Sequence, residues 1–416
     1  MERRRVVITG MGTVNCLGNT IDEFWSGLVE GRSGIGPITN FEPGELPCKI
    51  AGEVKDFSPE DYLDYKTVRR IPRSTLLGVA AAHQAIEDAG LPLIMPEPDR
   101  TGVMIGTGVA GVKNIVDGNT IMREKGYKRL SPFQIPSGIP NIPAFQIAKE
   151  FQCLGPNNTT TTACAAGTQA VGEGAEYIRR GAADIVLAGG TEAIVLDLVI
   201  AAFSVMGTLP VNYNDNPGKA SRPFDIKREG FVLSEGAAIV VLEELDHARS
   251  RGARIYAEFG GHASSSDGYN IAALKPDGLG PSRAMEWALN DAGVNPDEID
   301  YINAHGTSTL LNDPTETLAI KNIFGERAYN IPVSSTKSMI GHAMGASGAL
   351  EAVIGTLTIF NGVIPPTINY EFPDPDCDLN YVPNQAIEKN VNIVLSNSFG
   401  LGGQNACLVL KKYQDE

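Results

Sequence analysis

The chain repeats itself, and the repeat limits the folds open to it. "AIEDAGL" at 85–91 returns as "ALNDAGV" at 288–294. Both read as the end of an amphipathic helix stopped by glycine. Each is followed by a strand-like run, "TGVMIGTG" at 101–108 and "IDYINAHGTS" at 299–308. Each half also opens on a strand that runs into glycine, "RVVITGMG" at 5–12 and "RIYAEFGG" at 254–261. A stretch of very small residues then recurs, "TTTTACAAGTQAVGEGAEYI" (159–178) and "VSSTKSMIGHAMGASGALEAVI" (333–354). Four features in one order predict two fused copies of a single α/β unit, about 1–253 and 254–416. Matching Gly167 with Gly345 sets Cys164 opposite His342. The short apolar runs "DIVLAGG" (184–190), "AAIVVLEEL" (237–245) and "NIVLSNSFG" (392–400) read as buried strands. Alternating strands and helices predict sheets covered by helices. The small-residue helices are expected between two sheets, where only Ala and Gly permit so close an approach.

Composition removes several function classes. A net charge of −15 argues against nucleic acid and against an anionic membrane surface as partner. The opening "MERRRVVITGMG" is basic, but its apolar run is too short for a signal peptide. No segment supplies the ~18 apolar residues of a membrane span. The cysteines at 16, 48, 153, 164, 377 and 407 show neither CxxC nor Cys/His metal spacing. The expectation is a cytoplasmic protein with free thiols, no metal and no organic cofactor.

Cys164 stands apart from the other thiols. The threonines before it favour extended chain and the small residues after it favour helix, so it sits at a strand-to-helix elbow. The unpaired N–H groups and dipole of a helix start favour thiolate, and an elbow leaves its own N–H free for an oxyanion. An inert buried thiol is the alternative. Of the five histidines, His83 and His247 read as packing or surface residues. His305, in "NAHGTSTLLNDPTE", and His342, in "STKSMIGHAMGASGA", both stand at strand-to-helix junctions. Together with Cys164 they predict a Cys–His–His site.

These residues lie in motifs that resemble the β-ketoacyl-acyl carrier protein synthases of the synthase II type. The motifs are "TACAAG", "SRPFDIKREGFVLSEGA" (221–237), "NAHGTSTLLNDPTE", "KSMIGHAMGASG" and "NSFGLGGQN" (397–405), and the similarity runs through essentially the whole chain. The resemblance implies the thiolase fold, a duplicated α/β unit with two central sheets in five α-β-α-β-α layers. It implies that Cys164 accepts an acyl chain as a thioester and that His305 and His342 bind the carbonyl of malonyl-carrier protein as carbon dioxide leaves. The N–H groups of Cys164 and Leu401 are expected to form the oxyanion hole. Lys337 is expected to pair with Glu316, with Asp313 supporting the same network. Phe399 and Leu401 are expected to gate the site, and Val109, Phe203 and Gln134 to line the acyl pocket. In the family the terminal loop usually reads GFGGTN, and the position of Gln134 is commonly apolar or aromatic. The implied partners are a second copy of the chain and an acyl carrier protein, which brings its own phosphopantetheine and docks on Lys66, Arg69, Arg70, Lys128 and Arg129. A polyketide or aryl-polyene ketosynthase, a non-catalytic chain-length subunit and a Cys–His hydrolase are the rival readings.

Overall fold

The computed structural model describes residues 3–415. In the first half, strands Val6–Asn15 (β1), Thr101–Gly106 (β2), Asn157–Thr160 (β3), Ile185–Glu192 (β4) and Gly236–Glu244 (β5) are interleaved with helices Arg73–Asp88 (α1), Ile142–Phe151 (α2) and Ala166–Arg179 (α3). The second half repeats the succession. Its strands are Ala257–Ser266 (β6), Tyr301–Asn303 (β7), Val333–Ser334 (β8), Ile393–Gly400 (β9) and Gln404–Lys411 (β10), and its helices are Leu279–Ala292 (α4), Asn312–Phe324 (α5) and Ser347–Asn361 (α6).

The strand order is β8-β7-β9-β10-β6-β1-β5-β4-β2-β3. Read outward from the middle, each half runs first, fifth, fourth, second, third. The pairing senses match as well: β1/β5 and β5/β4 are antiparallel while β4/β2 and β2/β3 are parallel. In the second half β6/β10 and β10/β9 are antiparallel, and β9/β7 and β7/β8 are parallel. The two expected sheets are thus the halves of one ten-stranded sheet. They join where Val6, Val7 and Ile8 pair with Phe259, Glu258 and Ala257.

Helices α1 and α2 cover the outer face of the first half-sheet, and α4 and α5 that of the second. Helices α3 and α6 lie between the half-sheets, touching each other and strands of both. Their core sets Ala170, Ala175, Ala349 and Ala352, together with larger residues such as Val171, Leu350 and Val353, against Val186, Val240 and Leu408 from the strands. Five layers result, as expected. Helices α1 and α4 end at the glycines of the repeated heptads, Gly90 and Gly293, with φ +65° and +60°. A residue with a Cβ is strained there, which is why both copies of the motif stop on glycine.

The register of the repeat differs from that read in the sequence. A Cβ on Gly167 would lie 2.7 Å from the Ala349 nitrogen, and one on Gly348 would lie 2.4 Å from the Thr168 nitrogen. This reciprocal contact makes Gly348, not Gly345, the counterpart of Gly167. Ala163 and Met344, left-handed at φ 50° and 45°, correspond in the same way, each opening a short 3-10 turn before its helix. Cys164 therefore corresponds to Gly345, and His342 enters from three residues upstream.

Among the described residues no helix is long and apolar enough to cross a membrane. The crossing at Gly167 and Gly348 supplies a stability test. Gly167→Ala and Gly348→Ala should each destabilise the protein by about 1–3 kcal/mol, because the added methyl meets backbone in both and, at Gly348, the buried Thr168 hydroxyl as well. Gly218→Ala, where a Cβ meets only Ser33 at 3.6 Å, should change stability by less than about 0.5 kcal/mol. Urea unfolding of the three variants checks this; equal midpoints would show that the two helices separate freely.

Candidate active site

Strand β3 ends at Thr160, Ala163 turns the chain through the left-handed region, and Cys164 sits in the turn Ala163–Ala165 directly before α3. The elbow read in the sequence is present. Cys164 is 4% exposed. Its Sγ lies 3.0 Å from His342 Nε2, and His342 Nδ1 lies 2.9 Å from the Ser347 hydroxyl at the start of α6. The His342 backbone is pinned on both sides: its N–H donates to the Val232 carbonyl at 2.7 Å and its carbonyl accepts from Ser234 at 3.0 Å. The His305 ring stands edge-on to that of His342 at 5.4 Å and to that of Phe399 at 5.7 Å.

Glu316 holds the loop that carries His305. Its two oxygens accept the N–H groups of His305 (2.8 Å) and Gly306 (2.7 Å), and the Asn397 amide donates to one of them at 3.2 Å. Asn312 bridges Glu316 to Asp313, which accepts the Phe224 N–H at 2.8 Å and lies 3.7 Å from the Arg228 guanidinium. Asp313 is thus linked to Glu316 through Asn312. The expected pairing of Lys337 with Glu316 does not occur. Lys337, 1% exposed, forms its ion pair with Glu351 of α6. The reason is geometric: Glu316 is saturated by N–H donors, whereas Glu351 lies one helical turn beyond Ser347 on the face of α6 turned to Lys337. Burial pushes the Glu351 carboxyl up to about 7 against the pull of that lysine.

The electrostatics also depart from the expectation of a thiolate. Burial pushes the Cys164 thiol up to about 11, opposed by the Leu401 N–H, by Lys337 and by its own N–H. Burial, then the nearby Lys337, hold both imidazoles well below the ordinary histidine value, and His342 adds to the effect on His305. The resting site is a neutral thiol between neutral imidazoles. His342 turns Nε2 to Sγ and Nδ1 to the Ser347 hydroxyl.

The N–H groups of Cys164 and Leu401 both face the sulfur. A Cβ on Gly400 would lie 2.8 Å from the Thr162 carbonyl, so the end of β9 rests directly on the elbow. Cys164, His305, His342, Phe399, Leu401 and Phe231 line one cavity of about 310 Å³. The three expected pocket residues do not line it. Val109 is 41% exposed on the loop after β2. Phe203 stacks edge-on against Phe231 at 5.2 Å, one ring removed from His342. The Gln134 amide donates to the Asn114 carbonyl and packs on Gly118. Lys66, Arg69, Arg70, Lys128 and Arg129 are all exposed, and none forms an ion pair among the described residues. Arg70 lies over the Phe133 ring at 5.4 Å, which brings the 65–73 and 131–135 segments together.

Phe231, Ser347 and Glu351 were not singled out in the sequence. Glu351 left a signal, a lone acid in the apolar run "GALEAVI". The donor atoms of Cys164, His305 and His342 lie within 4.8 Å of one another, a convergence of three distant segments that ligand spacing along the chain does not reveal. Glu176, His262 and Asp291 form a second such group, and Arg3 and Arg179 pair with its two acids.

The family model described as beta-ketoacyl synthase, N-terminal domain matches residues 3–248, and that of the C-terminal domain matches residues 256–371. A protein named 3-oxoacyl-[acyl-carrier-protein] synthase 2 from Synechocystis sp. is 49% identical over 414 residues, covering 100% of this chain and 99% of its own. A protein of the same name from Coxiella burnetii is 46% identical over 415 residues, covering 100% of both chains. Among solved structures, the ishigamide ketosynthase/chain length factor superposes with a TM-score of 0.92 at 39% identity, over 99% of this chain and 100% of that one. A beta-ketoacyl synthase from Burkholderia phymatum gives 0.92 at 36% identity over the same shares. The converging cysteine and histidines, the duplicated five-layer architecture and matches over the full length agree: the chain belongs to the β-ketoacyl synthase family.

Proposed function

We propose that this chain condenses an acyl group, held on Cys164 as a thioester, with malonyl-acyl carrier protein, giving 3-oxoacyl-acyl carrier protein and carbon dioxide in fatty acid elongation. The observation that carries the reading is the convergence of one thiol, two neutral imidazoles and two backbone N–H groups on a single cavity. The Cys164 sulfur bonds to the acyl carbonyl carbon, and the thiol proton leaves with the pantetheine sulfur. His305 and His342 then donate N–H bonds to the malonyl thioester oxygen. As the carboxylate carbon departs as carbon dioxide, its bonding pair passes into an enolate that those two donors stabilise. Neutral imidazoles suit this task, since each keeps one ring proton to donate. The enolate carbon attacks the acyl carbonyl, the N–H groups of Cys164 and Leu401 hold the oxyanion, and collapse expels the Cys164 sulfur, which recovers a proton. Lys337 and Glu351 act by position, fixing the charge behind the histidines. No resident metal or organic cofactor enters the scheme.

Identity to the 3-oxoacyl-acyl carrier protein synthases, 44–49%, exceeds that to a type II PKS ketosynthase, 36%, which favours elongation over a polyketide pathway. The presence of Cys164 and both histidines disfavours a non-catalytic chain-length subunit. Acyl carrier protein is the proposed partner, at the unpaired cations Lys66, Arg69, Arg70, Lys128 and Arg129. One structural neighbour is a ketosynthase in complex with its acyl-carrier protein. A homodimer is proposed on the face where Phe133, Ile135 and Phe145 are exposed, with the 131–140 segment, Gln134 included, reaching the partner's acyl pocket beside Val109 and Phe203. The compartment proposed is the cytoplasm.

Two measurements test the scheme. Cys164→Ala should abolish condensation yet release carbon dioxide from malonyl-carrier protein, whereas His305→Ala should still acylate Cys164 and lose decarboxylation by about 100-fold or more. Equal loss of both half-reactions in both variants contradicts this division. Leu401→Phe should lower the ratio of long-chain to short-chain acylation in single turnovers, since a bulkier side chain plugs the cavity beside Cys164. An unchanged ratio would place length selection away from Leu401.

A further inference from the structure

Glu192 is a buried carboxylate for which the scheme above has no task. It closes β4 and is fully buried. Its Oε2 accepts the N–H of Gly108 at 2.5 Å and of Gly345 at 3.2 Å. Its Oε1 accepts the Thr107 hydroxyl at 3.2 Å and the N–H groups of Val109 at 3.4 Å and Ala110 at 3.1 Å. No lysine or arginine among the described residues pairs with it, and burial pushes its carboxyl up to about 7 against the pull of the Gly108, Val109, Gly345 and Thr107 donors. A buried carboxylate without a counter-ion is costly, and it persists only where directed donors replace its water.

Two loops meet at this side chain. Thr107–Ala110 leaves the end of β2, and Gly345 belongs to the turn that follows His342. The loops touch without an intervening side chain: a Cβ on Gly345 would lie 2.3 Å from the Gly108 nitrogen, and one on Gly108 would lie 2.7 Å from Glu192 Oε2. Met344, beside Gly345, is left-handed at φ 45° and lines the catalytic cavity. Three residues before Gly345, His342 places Nε2 3.0 Å from Cys164. The charge of Glu192 also reaches Cys164, where it opposes ionisation while Lys337 favours it.

We propose that Glu192 is a positioning residue of the condensation, fastening the Gly345 turn to the β2 loop and so holding His342 against Cys164. The proposal rests on the function proposed above. Glu192→Gln sets an amide N–H₂ against N–H donors and removes the charge. Glu192→Asp keeps an acceptor-only charge but is one methylene too short to hold both loops. The full chain is assayed for condensation kinetics and for iodoacetamide alkylation of Cys164 against pH, with thermal melting to establish that each variant is folded. The ionisable groups bearing on that profile are Glu192, Lys337, His305 and His342.

Both variants should lose about tenfold or more in kcat at unchanged KM for malonyl-carrier protein, the mark of misplacement rather than lost binding. Glu192→Gln should also move the alkylation profile to lower pH, because removal of a nearby anion favours the thiolate. Glu192→Asp should leave the profile in place. Parent-like kcat in either folded variant, a rise in KM in place of the fall in kcat, or a Gln profile that does not move overturns the proposal. If Glu192→Gln fails to fold, the kcat of Glu192→Asp decides alone. A parent that releases no carbon dioxide would instead refute the functional reading, an outcome distinct from variants that match an active parent.

Discussion

The backbone contact between α3 and α6 is the constraint on which the site depends. Gly167 meets Ala349 and Gly348 meets Thr168 with no room for a methyl group between them. Each helix begins in a loop that carries one half of the chemistry, Cys164 before α3 and His342 before α6. Bringing the helix axes to contact brings those loops together, which is why residues 178 positions apart share a 3.0 Å contact. A larger residue in the middle layer would push the two loops apart before it disturbed any catalytic side chain. The small residues at the crossing, Gly167 and Gly348, are therefore a requirement of the chemistry as much as of the packing.

The same closeness decides the charge state of the site. A middle layer shut between two half-sheets excludes water, and the thiol responds to that loss more than to the helix that follows it. The rise from 9.0 to about 11 corresponds to roughly 3 kcal/mol against the thiolate. A helix start contributes about 0.3–1 kcal/mol in the other direction. Burial wins, and it also holds each imidazole to a single ring proton. What remains is a set of neutral N–H donors with fixed directions. That is the equipment for holding an oxygen on which charge develops during the reaction, rather than for meeting one already charged.

Much of this was legible in the sequence. The repeated heptads ended on Gly90 and Gly293 because both helices stop in the left-handed region. Cys164, His305 and His342 were recognisable because each sits where a strand motif breaks into glycine and small residues. The failures have a common physical source. The register of the small-residue helices slipped by three because "GASG" offers two glycines, and only the reciprocal backbone contact selects Gly348. Lys337 was given the wrong partner because Glu316 and Glu351 are both buried acids, and the choice rests on which of them backbone N–H groups have already saturated. The thiol was read as acidic because a helix start is visible in a sequence, whereas the water removed by a distant strand is not. Val109, Gln134 and Phe203 are no such failure: they lie off the Cys164 cavity, and the acyl pocket proposed for them is one that a second copy of the chain completes.

The seam between the half-sheets has a consequence for the order in which the molecule is made. Strand β1 stands at the centre of the sheet, yet its long partner, β5, begins at Gly236. Until that segment has left the ribosome, β1 has helix α1 on one face but no strand partner along most of its length, for β6 meets it only over Val6–Ile8. At about 5–20 residues per second, this leaves an apolar strand unpaired for on the order of tens of seconds. The first half therefore closes late and all at once, when β5 slots between β1 and β4. The second half, which shares only so short a strand seam with the first, can then assemble against a finished surface of α3.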